Sequence, residues 1–194
     1  MSRSIRILVL LAAFATGAFA LTAGVMLLGP AEKMRPSAVG GPFQLVNQDG
    51  KTVTDADFRG KPLLVFFGFT HCPDICPTTL FEVSEIFNRL GNDADKVNAI
   101  FVTVDPERDT PEKLKLYLSS FHSQISALSG SEAQIEAIKK AYFVYAKRVP
   151  LEGGGYTMDH TSVVYLMDKQ GKFIAPFNLK REVDAAAADL RRRL

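Results

Sequence analysis

The chain has 194 residues, of which 47% are hydrophobic, and its formal charge at pH 7 is +2. This length allows one α/β domain plus an anchor, and the nearly balanced charge argues against a nucleic-acid-binding surface. With only two cysteines, the chain is not a disulfide-dense secreted scaffold.

The N-terminal segment predicts a membrane anchor. Residues 7–31 carry no charged side chain, and about 20 apolar residues are enough to cross a bilayer. We therefore predict one transmembrane helix over residues 7–28. Arg3 and Arg6 precede this helix, so the positive-inside rule predicts a cytoplasmic segment over residues 1–6.

This orientation predicts a single-pass protein of the inner membrane, with its C-terminal domain in the periplasm. An alternative is a signal peptide, because residues 18–20 read AFA and resemble a small-residue cleavage site. Cleavage after Ala20 would release the domain from the membrane. The apolar run continues as far as Leu28, which favours a retained anchor.

After the anchor, residues 29–41 contain two prolines and several small residues, which predict a linker. The folded domain is expected over residues 42–194. Its first element is predicted to be a hairpin over residues 43–53, because residues 47–50 read NQDG, a strong turn signal.

The next strand leads to the two cysteines. Residues 63–69 form a continuous apolar run, which is typical of a strand buried on both faces. Pro77 suits the first position of a helix, and apolar residues then recur at helical spacing, so a helix is predicted over residues 78–90. Cys76 would lie at about its N-cap, where the helix dipole favours a thiolate, and Cys72 would lie in the preceding loop.

The remaining elements alternate between strands and helices, which predicts an α/β fold with a mixed central sheet and helices on both faces. Thr110 is expected to cap a helix. The predicted strands are residues 99–104, 162–167 and 172–177, the last two joined by a turn at 168–171, and the predicted helices are residues 111–121, 131–146 and 182–193.

Cys72 and Cys76 are the only cysteines, and His160 lies far downstream. Two thiols and one imidazole form a donor set that suits a soft metal such as Cu(I). Two nearby thiols could instead carry out thiol–disulfide exchange. A third interpretation is a pair of structural cysteines, or a structural disulfide. The residues alone leave these three interpretations open.

Three segments together resemble the signature motifs of the Sco/SenC family. They are residues 72–80, CPDICPTTL, residues 104–111, VDPERDTP, and residues 156–161, YTMDHT. The resemblance extends over roughly residues 40–190, which is nearly the whole predicted domain.

The resemblance implies a thioredoxin-like fold tethered to a membrane, with Cu(I) or Cu(II) bound by Cys72, Cys76 and His160. In thioredoxin-like folds a proline usually stands opposite the cysteine loop, and in this chain His160 and Thr161 take that place. The implied role is delivery of copper to the apo form of cytochrome c oxidase subunit II. Another copper donor, or a thiol reductant, would be a further partner.

Several residues are expected around the ligands. Asp159 could accept a hydrogen bond from the imidazole of His160, as carboxylates often do for metal-bound histidine, or it could cap a turn. Asp74 and Asp105 are expected close to the site, and Gly153–Gly155 predict a mobile loop. The weaker ligand candidates are His71 and Met158, and His122 is expected to be structural.

The leading functional prediction is a membrane-tethered copper chaperone, which is not an enzyme in the sense of turnover. The alternative is a thiol–disulfide oxidoreductase that keeps the cysteines of the oxidase subunit reduced. A third hypothesis is a copper or redox sensor. His160 discriminates between the first two, because a reductase does not need it and a three-ligand copper site does.

Overall fold

The computed structural model describes Ile5 and residues 39–194. The chain divides into two units, Met1–Pro36 and Ser37–Leu194, and all the strands and helices named below belong to the second unit. The predicted anchor, residues 7–28, lies outside the described residues. Within the part that is described, no helix is both long and apolar enough to cross a membrane.

Residues 39–194 contain nine strands and four α-helices, together with two short 3₁₀ helices, Asp55–Phe58 and Gly91–Lys96. In chain order the elements are β1 (Gln44–Asn47), β2 (Thr52–Thr54), β3 (Leu63–Gly68), α1 (Ile75–Leu90), β4 (Asn98–Thr103), α2 (Pro111–Leu118), β5 (Ile125–Ser129), α3 (Glu132–Ala141), β6 (Ala146–Pro150), β7 (Tyr156–His160), β8 (Val164–Met167), β9 (Phe173–Pro176) and α4 (Val183–Arg191).

Seven strands form the main sheet, in the order β2-β1-β5-β4-β3-β8-β9. The three central strands β3, β4 and β5 are parallel, whereas β1 and β8 run antiparallel to their central neighbours. Strands β6 and β7 form a separate antiparallel pair. The mixed α/β sheet predicted from the sequence is therefore confirmed.

Aromatic side chains show that helices cover both faces of this sheet. The rings of Phe66 and Phe101 lie 5.8 Å apart on one face, and Phe101 packs 5.9 Å from Tyr117 of α2. Successive residues of a strand point to opposite faces, and Phe67 packs 5.4 Å from Tyr142, which follows α3. Helices α2 and α3 thus lie on opposite sides, as predicted.

Strand β3 places the first half of the functional site. All six of its residues are buried, as expected for an apolar strand covered on both faces. It ends at Gly68, where a Cβ atom would lie 2.6 Å from the Phe101 ring and 2.7 Å from Cys76 Sγ. The missing side chain lets α1 approach the carboxyl end of the sheet.

The start of α1 differs from its prediction. The helix begins at Ile75 with Asp74 at the N-cap, so Cys76 lies within the first turn, and its predicted N-cap position was wrong. Pro77 is the third helical residue, where its missing N–H costs nothing, because the first four N–H groups of a helix have no partner inside the helix.

The structure also corrects two later helices and adds three strands. The predicted helix over residues 131–146 ends at Ala141, because Phe143 adopts a left-handed conformation with φ 54°. Helix α2 ends at Leu118 instead of residue 121, although Thr110 caps it as predicted. The strands β5, β6 and β7 were not predicted.

Candidate metal centre

Three donor atoms converge at the carboxyl end of β3. The sulfurs of Cys72 and Cys76 and a ring nitrogen of His160 all lie within 4.8 Å of one another. Cys76 Sγ is 3.6 Å from His160 Nε2, although the two residues are 84 positions apart in the chain. Both cysteines are free thiols. The fold thus brings together the three residues that the sequence singled out.

The N-terminus of α1 acts on Cys72 more directly than on Cys76. The backbone N–H of Cys76 points at Cys72 Sγ, 3.5 Å away, and Cys72 N–H donates to the carbonyl of Phe69. An unpaired N–H in the first turn of a helix favours negative charge on its acceptor. The first turn of α1 therefore directs this backbone N–H at the sulfur of Cys72 and not at that of Cys76.

Cys76 is fully buried, with 0% of its surface exposed. Burial raises the pKa of its thiol well above the ordinary value and outweighs the backbone hydrogen bond of Phe69, which lowers it. The expectation that Cys76 is held as a thiolate was therefore wrong for the metal-free protein. A metal ion that binds Cys76 must displace its proton.

The imidazole of His160 has a defined tautomer. Its Nδ1 lies 3.0 Å from the carbonyl oxygen of Thr161, and a carbonyl can only accept, so Nδ1 carries the proton. Nε2 then presents its lone pair towards Cys76. The ring stands edge-on to Phe66 and Phe69, with centroids 6.4 and 5.7 Å away.

Asp159 does not take the role expected for it. The acceptor for the imidazole N–H is the Thr161 carbonyl and not the Asp159 carboxylate. Asp159 is exposed and lies opposite Lys147 of β6, and neighbouring residues of a strand point to opposite sides. Asp159 and His160 therefore face different ways.

Two other predicted neighbours, Asp74 and His71, are exposed side chains near the site. Asp74 is exposed at the mouth of the pocket and accepts a hydrogen bond from the Thr78 hydroxyl, 3.4 Å away. His71 is also exposed, and its Nδ1 is 3.1 Å from the Thr70 hydroxyl. Neither side chain belongs to the group of three donors. The ring of His122 lies against Phe87, with centroids 5.2 Å apart, and is not one of the three donors.

An open pocket of about 330 Å³ leads to the donors. Cys72 and His160 line it, whereas Cys76 is fully buried and is not part of the lining. Met158 also lines the pocket, and its role as a weaker ligand stays a prediction. The full lining is Phe69, Cys72, Pro73, Asp74, Ile75, Thr157, Met158, Asp159, His160 and Ser162. An acceptor would therefore approach a bound metal ion from one side, next to Cys72 and His160, the two more accessible donors.

A buried carboxylate that was not among the predicted site residues fixes the cysteine loop. Asp109 is 0% exposed and accepts hydrogen bonds from Thr70 N at 3.0 Å, Thr70 Oγ1 at 2.6 Å and Thr103 Oγ1 at 2.6 Å. These bonds tie the residues just before Cys72 to the end of β4. The motif at residues 104–111 contained this residue, but its role depends on contacts distant in sequence.

Asp105 contacts the strand that carries His160. It is buried, forms an ion pair with Arg108, and accepts a hydrogen bond of 2.9 Å from the hydroxyl of Tyr156. Its contacts thus reach the strand that carries His160 and not the donor atoms themselves.

With this geometry established, comparison with known proteins identifies the family. A family model described as SCO1/SenC matches residues 31–194. The chain belongs to the SCO1/SenC family. Among curated relatives, it is 37% identical over 150 residues to the mitochondrial protein SCO1 homolog 1 of Arabidopsis thaliana, covering 77% of this chain and 45% of that protein. It is 41% identical to a SCO2-like protein of Rickettsia prowazekii, covering 73% of this chain and 70% of the relative.

Solved structures of Sco proteins have the same fold. ScoI of Bradyrhizobium japonicum, solved with copper bound, is 60% identical, with a TM-score of 0.79 over 80% of this chain and 99% of that one. Yeast Sco1 with copper bound is 34% identical, with a TM-score of 0.72 over 79% of this chain and 87% of that one. The likeness confirms the thioredoxin-like α/β fold with a mixed sheet.

Proposed function

We propose that the chain binds copper through Cys72, Cys76 and His160 and serves as a copper chaperone. The observation that carries this proposal is the convergence of two sulfurs and one imidazole nitrogen within 4.8 Å. Thiolates are the soft donors that retain Cu(I), and imidazole suits copper in either oxidation state. Relatives solved with copper bound, among them those from Bradyrhizobium japonicum and yeast, support the choice of metal.

The shape of the site favours transfer over permanent storage. Three protein donors leave coordination positions for a ligand of the acceptor, and the open pocket exposes one side of the group. Cys76 is sealed in the core, so an acceptor would first displace Cys72 or His160. Copper would then leave by stepwise ligand exchange, with the buried thiolate released last.

We further propose that the acceptor is the apo form of cytochrome c oxidase subunit II. One similar structure, 29% identical with a TM-score of 0.63, is of BsSco, described as a member of the Sco family of cytochrome c oxidase assembly proteins. A retained helix over residues 7–28 would hold the domain in the periplasm beside a membrane-bound acceptor. Such tethering raises the effective concentration of the two partners without new contacts.

A second candidate function is reduction of the acceptor's cysteines. Cys72 is the more exposed thiol and receives the Cys76 N–H, so it is the better nucleophile. It would attack a disulfide of the acceptor, and Cys76 would resolve the mixed disulfide. The two thiols would lose two electrons and two protons, which the acceptor takes up as two new thiols. BsSco is described as having a disulfide switch.

Replacement of His160 by alanine separates the two functions. In cells that lack the native protein, His160→Ala should fail to support assembly of the oxidase, while its Cys72–Cys76 pair still forms and exchanges a disulfide. Cys76→Ser should fail in both respects. Normal assembly with His160→Ala would rule out the chaperone mechanism and leave the reductase as the better proposal.

Fractionation of cells tests the anchor separately. We expect the full-length protein in the membrane fraction, with its N-terminus intact. A version that starts near Ser37 and is exported without an anchor should bind copper normally but support assembly poorly at native expression levels. A soluble mature chain that begins at Leu21 would instead show that the signal is cleaved after Ala20.

A further inference from the structure

The hairpin that carries His160 lies outside the main sheet. Strands β6 and β7 pair only with each other among the described strands. The position of the imidazole relative to the thiols is therefore not fixed by the ladder of hydrogen bonds that fixes β3. Other contacts must hold the hairpin in register with the cysteine loop.

Arg108 supplies the most extensive of these contacts. Its Cζ lies 3.8 Å from the centre of the Tyr156 ring at the start of β7 and 5.8 Å from the centre of the Phe69 ring after β3. Its Nη1 also donates to the backbone carbonyl of Tyr156 at 2.8 Å. One guanidinium thus contacts both the hairpin and the segment that leads to Cys72.

Asp105 fixes Arg108 in this position. The carboxylate is 1% exposed, pairs with Arg108 Nε through one oxygen and accepts the Tyr156 hydroxyl at 2.9 Å through the other. A buried charge is costly unless it is paired and hydrogen-bonded. The three side chains therefore hold one another, and loss of Arg108 would leave the buried charge of Asp105 without its ion-pair partner.

This group reaches both halves of the metal centre. The Phe69 ring stands edge-on to the imidazole of His160 at 5.7 Å, and the Phe69 carbonyl accepts the N–H of Cys72 at 3.2 Å. Tyr156 begins the strand that ends at His160. Movement of Arg108 would therefore shift the imidazole relative to the sulfurs.

We propose that Arg108, Asp105 and Tyr156 form a positioning clamp that holds His160 against the two thiols. The clamp does not touch the metal. It sets the distance at which the hairpin presents the imidazole, so it governs the binding steps that need His160. The sulfurs keep the positions that the core and the Asp109 hydrogen bonds give them, despite the contact between Arg108 and Phe69. The part concerning copper rests on the proposed function, whereas the placement of the imidazole does not.

Arg108→Lys is the informative variant, because lysine keeps the charge but loses the planar group that stacks and donates in several directions. Arg148→Lys is the matched control. Arg148 also lies over the Tyr156 ring, at 4.7 Å, but it is at the surface, where it pairs with the exposed Glu107. A role for stacking alone would make the two variants similar.

The first measurement needs no metal. Long-range ¹H–¹⁵N spectra of the reduced full-length protein in mild detergent report the tautomer of His160. We expect only the Nδ1–H tautomer in the wild type and in Arg148→Lys, and mixed tautomers with broadened signals in Arg108→Lys. If Arg108→Lys keeps the wild-type spectrum, or if both variants lose it equally, the clamp is refuted.

The second measurement uses copper and the thiols together. We expect Arg108→Lys to bind Cu(II) about 10–100-fold more weakly, as is typical when support around a ligand is lost, while its Cys72–Cys76 disulfide forms at the wild-type rate. An equal loss in both properties would indicate general damage and would contradict the clamp. If even the wild type binds no copper, the proposed function fails, and the tautomer still decides on the clamp.

A milder variant covers the case in which Arg108→Lys does not fold. Tyr156→Phe removes one hydroxyl and leaves both rings and the Asp105–Arg108 pair in place. We expect the same change in the His160 spectrum, but smaller. A folded Tyr156→Phe protein with an unchanged His160 spectrum, beside an unfolded Arg108→Lys protein, would show that the group only stabilises the fold.

Discussion

The two halves of the metal centre are supported in different ways. Cys72 and Cys76 follow a strand whose six residues are all buried, and Cys76 itself is part of the core. His160 lies on a two-stranded hairpin in which four of the five residues of β6 are exposed. The sulfur half is thus built into the core and tied by Asp109, whereas the imidazole half depends on the contacts of a hairpin that lies outside the main sheet.

This difference suggests a division of tasks. A rigid pair of thiols can hold Cu(I) or form a disulfide without help from the hairpin. The imidazole adds a third donor on a separate support, because the position of the hairpin depends on the Arg108–Asp105–Tyr156 clamp and not on the main sheet. If this division holds, substitutions should perturb the two halves separately.

The largest expected effect comes from removing the buried sulfur. Cys76→Ser should abolish tight copper binding, because a hydroxyl is a poor ligand for Cu(I) and no other thiol can replace it. Metal analysis of the reduced protein should give one copper per wild-type chain and almost none for the variant. A serine variant that retains its full complement of copper would show that Cys76 is not a ligand.

Gly68→Ala should damage the sulfur half through the core. The new Cβ would meet the Phe101 ring at 2.6 Å and Cys76 Sγ at 2.7 Å, so the Phe101 ring and the start of α1 must shift. Overpacking of this kind costs about 1–3 kcal/mol of stability, which urea unfolding would measure. The control is Gly41→Ala, whose Cβ makes an ordinary contact of 3.5 Å with Ala141. Equal stability of the two variants would contradict the close approach.

Asp109→Asn should loosen the cysteine loop without touching the hairpin. The amide can still accept hydrogen bonds, but it cannot satisfy all the donors of Thr70 and Thr103 as the carboxylate does. We expect a loss of about 1–3 kcal/mol in stability and faster alkylation of Cys72, with the His160 spectrum unchanged.

The control for this variant is Asp93→Asn, since Asp93 makes ion pairs at the surface with Lys96 and Arg191. Its stability should change by less than about 1 kcal/mol, the usual range for surface pairs. If the Asp109 variant disturbs the imidazole as strongly as the cysteine loop, the two halves are not independent.

The smallest effect concerns alkaline pH. Burial raises the pKa of Cys76 above its ordinary value of 9.0, so the unfolded chain loses this proton before the folded protein does. The folded protein therefore has the full stability linked to this thiol below about pH 9. It loses that stability as the pH rises through the pKa of Cys76 in the folded state. Burial also raises the pKa of Tyr142, to about 12, so a similar loss of folding stability is expected from this residue above about pH 10.

Urea unfolding of the metal-free, reduced protein at about pH 8, 9 and 10 would reveal this slope. Cys76→Ser is the control, because a serine hydroxyl does not ionise in this range. The variant should lose less stability than the wild type between about pH 9 and 10. Parallel curves would show that Cys76 is not held as a neutral thiol.

Much of the sulfur half could be predicted from the sequence. The apolar run before Cys72 indicates a buried strand, and the hydrophobic periodicity after Pro77 indicates the helix. Both signals are local and strong. The start of α1 and the pKa of Cys76 could not be predicted in the same way, because the first depends on the backbone of the loop at Asp74 and the second on burial by the rest of the core.

The sequence around His160 contains weaker signals of secondary structure. Strand β6 reads AKRVP and is mostly exposed, so it lacks the alternation that marks a strand with one buried face. Strand β5 is short and lies between two helices, and the end of α3 depends on the left-handed conformation of Phe143. The partner of His160 is the backbone carbonyl of Thr161, an acceptor that every residue possesses and no sequence pattern reveals.

X-ray absorption spectroscopy at the copper edge tests the two-part metal centre most directly. The copper-loaded wild-type protein should show two sulfur ligands and at least one imidazole nitrogen. His160→Ala should keep both sulfurs and lose the imidazole signal. A wild-type centre with fewer than two sulfurs, or an imidazole signal that persists in His160→Ala, would contradict the assignment of Cys72, Cys76 and His160 as the ligands.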